Sequence, residues 1–186
     1  MIIENRMIMI GATGRNSGKT SLACEIIKNY KDGLNVVGLK ITTIESRDML
    51  CPRGGEGCGV CTSVEGNYDI IQEMGSGTDK DTVRLLDAGC SSVYWIRTHK
   101  EYILQAYEEF LKLAKDADLI ICESNSLRHY VKPHLFIMIK NTSDAFIKPT
   151  AASVIEYADY IISKYDVLES KSFTNELLVN LDRRNI

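Results

Sequence analysis

The sequence has no stretch near the ~18 consecutive apolar residues that a membrane-spanning helix needs, which excludes a helical span. It has no excess of basic residues either: 22 Lys and Arg stand against 25 Asp and Glu, for a formal net charge of −3. A protein that neutralises a nucleic-acid backbone needs the opposite balance, so general nucleic-acid binding is not expected. The opening MIIENRMIMIGA lacks the basic n-region of a signal peptide, and its apolar run leads straight into a glycine turn. The expected location is therefore the cytoplasm, where the six cysteines would stay reduced. No internal repeat and no low-complexity linker divides the chain. Its 186 residues suit one domain spanning 1–186, and 45% apolar and 25% charged residues suit a globular one.

What is present is an alternation. RMIMIGA (6–12), NVVGLKIT (35–42), SSVYWIRT (91–98), DLIICES (118–124), HLFIMIK (134–140) and DYIIS (159–163) read as strands, several of them unbroken apolar runs. Between them SLACEIIKNYK (21–31), TDKDTVRLLDAG (78–89), KEYILQAYEEFLKLAKDA (100–117) and PTAASVIEYA (149–158) read as helices, the last with Pro near its start. The tail KSFTNELLVNLDRR (171–184) reads as helical, NYDIIQEM is ambiguous, and residues 43–66 form a long Gly/Cys-rich loop. Continuous apolar strands alternating with helices predict a three-layer α/β fold: a mainly parallel sheet with helices on both faces.

The segment GATGRNSGKTSL (11–22) lies between the first strand and the first helix. It ends in the Gly-Lys-Thr of a P-loop, although the pattern's first glycine is replaced by Thr13 between Gly11 and Gly14. Backbone N–H groups of residues 15–20 would face a phosphate at the positive end of a helix, with Gly14, Asn16, Ser17, Gly18 and Ser21 shaping the loop. Lys19 would reach the β- and γ-phosphates and the Thr20 hydroxyl would ligate Mg²⁺. A P-loop also needs an acidic residue near the magnesium, at a strand end, and Glu123 closes LIICE.

GTDKDTVRLLDAG (77–89), RNSGKTSL, VVGLKIT and ADLIICESNSLRHYVKPHLFIMI (117–139) together resemble the molybdopterin-guanine dinucleotide biosynthesis protein B (MobB) family over most of residues 6–140. That family stands with dethiobiotin synthetase and the nickel-inserting hydrogenase GTPases. The resemblance implies a P-loop NTPase fold whose second strand neighbours the phosphate-loop strand, and a homodimer with nucleotide near the interface. It further implies a part in molybdenum or other metal cofactor biosynthesis, with a cofactor-assembly or metalloenzyme client. Residue by residue, it places Lys40 toward nucleotide or substrate, Asp79 and Asp81 near the site, Asp81 in the chemistry, and Arg84 on the helix behind. Asp79 with Thr78 also reads as a helix cap. The family's histidine-rich stretch after the second strand is absent here.

CPRGGEGCGVC sits there instead, with spacing C-x6-C-x2-C. Cys51, Cys58 and Cys61 offer three soft ligands in a glycine-rich wrap, suited to Zn²⁺, an iron–sulfur cluster or Cu(I). A fourth would come from Cys90, His99, an exogenous group or a partner subunit. The nucleotide base is open between GTP and ATP. NTSD (141–144) resembles a guanine-reading turn through Asn141 and Asp144, with Thr142 where GTPases have Lys. Three functions follow: a nucleotide hydrolase in cofactor assembly, an ATP-dependent small-molecule kinase or synthetase, or a non-catalytic metal-carrying adaptor regulated by nucleotide.

Overall fold

A computed structural model of the chain describes residues 1–44, 64, 66–75, 79–141 and 147–164. Its strands are β1 (Ile2–Ala12), β2 (Val36–Ile44), β3 (Tyr68–Gln72), β4 (Ser92–His99), β5 (Leu119–Glu123), β6 (Val131–Lys140) and β7 (Tyr160–Ser163). The helices are α1 (Lys19–Tyr30), α2 (Asp81–Ala88), α3 (Ile103–Leu113) and the short α4 (Pro149–Ala152). The strands form one seven-stranded sheet in the order β3-β4-β2-β5-β1-β6-β7, parallel throughout except for β3 at the edge.

Both faces of the sheet are covered, as continuous apolar strands require. On one face Ile8, Ile10, Ile121 and Ile137 pack with Leu22, Ile26 and Ile27 of α1 and Leu85 of α2. On the other, Met7, Met9, Leu39, Cys122 and Phe136 pack with Ile103, Tyr107 and Phe110 of α3. Met7 to Ile10 are all fully buried because β1 is central and its side chains alternate between the two cores. The fold class is the expected one.

Several details differ from the reading of the sequence. β2 does not neighbour β1: β5 lies between them, pairing with β1 on one side and β2 on the other. The ambiguous segment is the antiparallel edge strand β3, too short and too exposed to show a burial period. The 100–117 helix opens with a 3-10 turn over Lys100–Tyr102 and ends at Leu113. The 149–158 helix breaks after one turn into a 3-10 segment, Ile155–Tyr157. The N-cap of α2 is Lys80, which makes no side-chain capping bond, and Asp79 is exposed. Glu73 ties the first turn of α2 to the preceding segment, its carboxylate accepting the Thr82 hydroxyl at 2.7 Å and the N–H groups of Met74 and Gly75. The expected tail helix and the cysteines at 51, 58 and 61 lie outside the described residues.

Candidate functional site

Parallel register brings the site together at the C-terminal ends of the strands. Ile10 of β1 aligns with Glu123 of β5, and Glu123 aligns with Lys40 of β2. Residues in one row of a parallel sheet point to the same face, so Glu123 and Lys40 both face the layer of α1 and α2. From that layer Lys19 and Thr20 enter at the first turn of α1 and Asp81 at the first residue of α2.

The chain reaches α1 through a loop of consecutive bends, 13–18. Asn16 has φ 51° and Gly18 has φ 90°; Gly18 is the N-cap of the helix. Glycine and asparagine tolerate that left-handed region, which turns successive backbone N–H groups toward a common centre. Gly14 and Ser17 are buried beneath the loop, where the Ser17 hydroxyl bonds the Arg15 carbonyl at 3.4 Å. Ser21 turns toward α2, its hydroxyl accepting from Arg84 at 3.3 Å. Arg84 thus ties the two helices together, and its carbonyl accepts the Cys24 thiol.

Four charges meet around Thr20. Lys40 pairs with Asp81, and Lys19 feels Glu123, Lys40 and Asp81. Thr20 is 7% exposed and its hydroxyl lies beside Asp81 and Glu123, holding down the carboxyl it donates to. Glu123 is 3% exposed and its Oε1 has no hydrogen-bond partner. Burial pushes its carboxyl above the usual range, against the pull of Lys40 and Lys19. Burial likewise lowers the Lys19 ammonium, partly offset by Glu123. Asp81 also loses solvation, but the hydrogen bond and charge of Lys40 prevail and its carboxyl lies below the usual range.

Mg²⁺ fits this set. A buried carboxylate oxygen without a partner, beside a threonine hydroxyl at a phosphate loop, is an oxygen-rich position short of a cation. Thr20 and Glu123 would hold the ion, with nucleotide phosphates and water supplying the remaining oxygens.

Two residues here escape the sequence motifs. Asn125 clamps the root of the loop: its Oδ1 accepts the Ala12 N–H at 2.9 Å and its Nδ2 donates to the Ala12 carbonyl at 3.0 Å. Gly11 makes room for it, since a Cβ there would lie 2.6 Å from Asn125 Oδ1. Thr13 is the other, buried and bonded toward β6 and the segment after it; the Asn141 N–H donates to its hydroxyl. An asparagine two residues after Glu123 and a glycine on the neighbouring strand are the sequence signals that could have found the clamp.

Other residues named from the sequence lie as follows. Cys90 is 6% exposed within the α1/α2 core, and burial pushes its thiol up to about 12. Cys122 is part of the core on the α3 face. His99 ends β4, half-buried. Among the described residues no group of three or more His, Cys, Asp or Glu side chains is placed to hold a metal by itself. Asp144 is outside the described residues. No described helix is long and apolar enough to cross a membrane.

Parallel sheet, phosphate loop and strand-end carboxylate define the class: a P-loop α/β protein. No family model matches the sequence and no curated protein matches it, so the likeness to MobB rests on the motifs quoted above. Among solved structures the chain is similar to the "apo" form of LpxK from Aquifex aeolicus in complex with ATP, with a TM-score of 0.51 and 16% identity. The match covers 91% of this chain and 52% of that one, so the chain spans about half the length of its structural relative.

Proposed function

We propose that this protein binds a magnesium–nucleoside triphosphate, GTP or ATP, on residues 13–20 and hydrolyses it, in support of molybdenum or other metal cofactor assembly. The observation that carries the nucleotide reading is the meeting of Lys19, Thr20 and the buried Glu123 carboxylate, whose Oε1 has no hydrogen-bond partner, beside the phosphate loop. The ATP-bound LpxK is in keeping with it. The assembly role and a homodimer rest on the resemblance to MobB.

Bound magnesium would draw charge from the β- and γ-oxygens. Lys19 would neutralise the same oxygens from the helix side, with Lys40, paired to Asp81, on the neighbouring strand end. In hydrolysis water would attack the γ-phosphorus as the bond to the β–γ bridging oxygen breaks, the water's proton passing to the released phosphate and the nucleoside diphosphate leaving with the charge that Lys19 compensates. Asp81, half-exposed and tied to Lys40, favours a second reading. On that reading its carboxylate would accept a proton from a substrate hydroxyl, and the reaction would be phosphoryl transfer to a small molecule.

Phosphate release with Mg²⁺ and GTP or ATP, and nothing else added, separates the two. Release that disappears in Lys19→Ala supports hydrolysis. Tight binding without release supports transfer. Failure of the folded wild type to bind either nucleotide would overturn the proposal.

A further inference from the structure

Thr13 occupies the place of the first P-loop glycine and is 1% exposed. All three of its hydrogen-bonding groups go to one side. Its N–H donates to the Ile139 carbonyl at 3.0 Å, extending the β1–β6 ladder past Ala12. Its hydroxyl accepts the Asn141 N–H at 3.0 Å. Its carbonyl accepts the Lys148 N–H at 3.1 Å. One residue of the phosphate loop therefore holds the chain both where it leaves β6 and where it enters α4. Glycine could make the two backbone bonds but not the one to Asn141.

The sheet order indicates what those flanks face. The groups aimed at the cation and the γ-phosphate, Glu123 and Lys40, stand on β5 and β2, on one side of β1. β6 stands on the other. A triphosphate lying along the loop with its γ end toward Lys40 carries its nucleoside toward β6, where Asn141 and Lys148 are pinned.

We propose that Thr13 is a positioning residue for the nucleoside half of the ligand: by bonding Asn141 and Lys148 to the phosphate loop, it builds the wall against which the nucleoside lies. The inference rests on the nucleotide reading above. Replacing the glycine costs the loop nothing, because Thr13 faces inward and leaves the phosphate-facing N–H groups to residues 15–20.

The test separates the nucleoside from the phosphates. Affinities of the full chain for magnesium complexes of GTP, ATP and tripolyphosphate are measured by calorimetry for the wild type, Thr13→Val, Thr13→Ser and Thr13→Gly. Valine keeps the shape but leaves the Asn141 N–H without its acceptor, so the preferred nucleotide should bind about tenfold more weakly while tripolyphosphate changes less than about twofold. Serine keeps the acceptor and should restore nucleotide affinity. Glycine, which adds no bulk, should repeat the valine result and serves if the valine protein does not fold. Exchange of the Asn141 amide with solvent should quicken in the valine and glycine proteins and not in the serine one. Equal weakening of tripolyphosphate and nucleotide, or unchanged nucleotide affinity, would overturn the inference while leaving nucleotide binding intact. A wild type that binds tripolyphosphate as tightly as either nucleotide would also overturn it. A folded wild type that binds none of the three would instead remove the nucleotide reading itself.

Discussion

Glu123 is the residue whose stability and function pull apart. Its carboxylate is buried with one oxygen unpartnered, a position that disfavours the ionised form at neutral pH and suits it to a cation. Glu123→Gln removes the charge and keeps the shape. In the absence of ligand its thermal midpoint at pH 7 should rise by about 2–4 °C, as a gain near 1 kcal/mol gives in a chain of this size. Phosphate release should meanwhile fall by about 10²-fold or more, the scale of losing a group that organises the reacting charges. Melting curves and a release assay on the same preparations check both. A lower midpoint with unchanged turnover would return Glu123 to an ordinary strand-end carboxylate.

At the scale of the element, α2 matters because Asp81 opens it. The helix starts without a side-chain cap at Lys80, and its first turn is held instead through Thr82 and Glu73. The Thr82 hydrogen bond is the main reason the Glu73 carboxyl lies below its usual value, with the N–H groups of Gly75 and Met74 and the charge of Lys80 adding to it. A carboxyl depressed by folding stabilises the protein above the unfolded value, and that stabilisation is lost as pH falls through the folded value. Thr82→Val should therefore lose about 1 kcal/mol of unfolding free energy at pH 7, and its deficit should shrink as the pH drops below ~4.3. Urea unfolding at the two pH values measures it. A deficit that persists unchanged in acid would mean that Thr82 matters by packing and not through Glu73.

At the scale of the whole molecule, the cysteine motif adjoins this site in sequence: the chain leaves β2 at Ile44, four residues after Lys40, and Cys51, Cys58 and Cys61 follow. A fourth ligand would come from Cys90, which lies in the α1/α2 core, or from His99, an exogenous group or a second subunit. Protein purified without oxygen should carry Zn or Fe in stoichiometric amount, and Cys58→Ser with Cys61→Ser should lose it. Elemental analysis and a visible absorption spectrum measure this. Wild type without either metal, and unable to take one up on reconstitution, would reduce the motif to reduced thiols.

Much of this arrangement was legible along the chain. Buried strands announce themselves as apolar runs because both faces of a parallel sheet are covered, which is why the strands ending at Ala12, Glu123 and Lys140 could be placed. The Gly-Lys-Thr between a strand and a helix located Lys19 and Thr20, and the acid closing LIICE located Glu123. The rest depends on contacts between distant parts of the chain, which no local period encodes. β5 inserts between β1 and β2, and only that order aligns Glu123 with both Ile10 and Lys40. The pairing of Lys40 with Asp81, and the clamp of Asn125 on Ala12, are likewise products of packing. Thr13 shows the division most clearly: in sequence it is a departure from a glycine motif, and only its neighbours in β6 and beyond turn the departure into a bond.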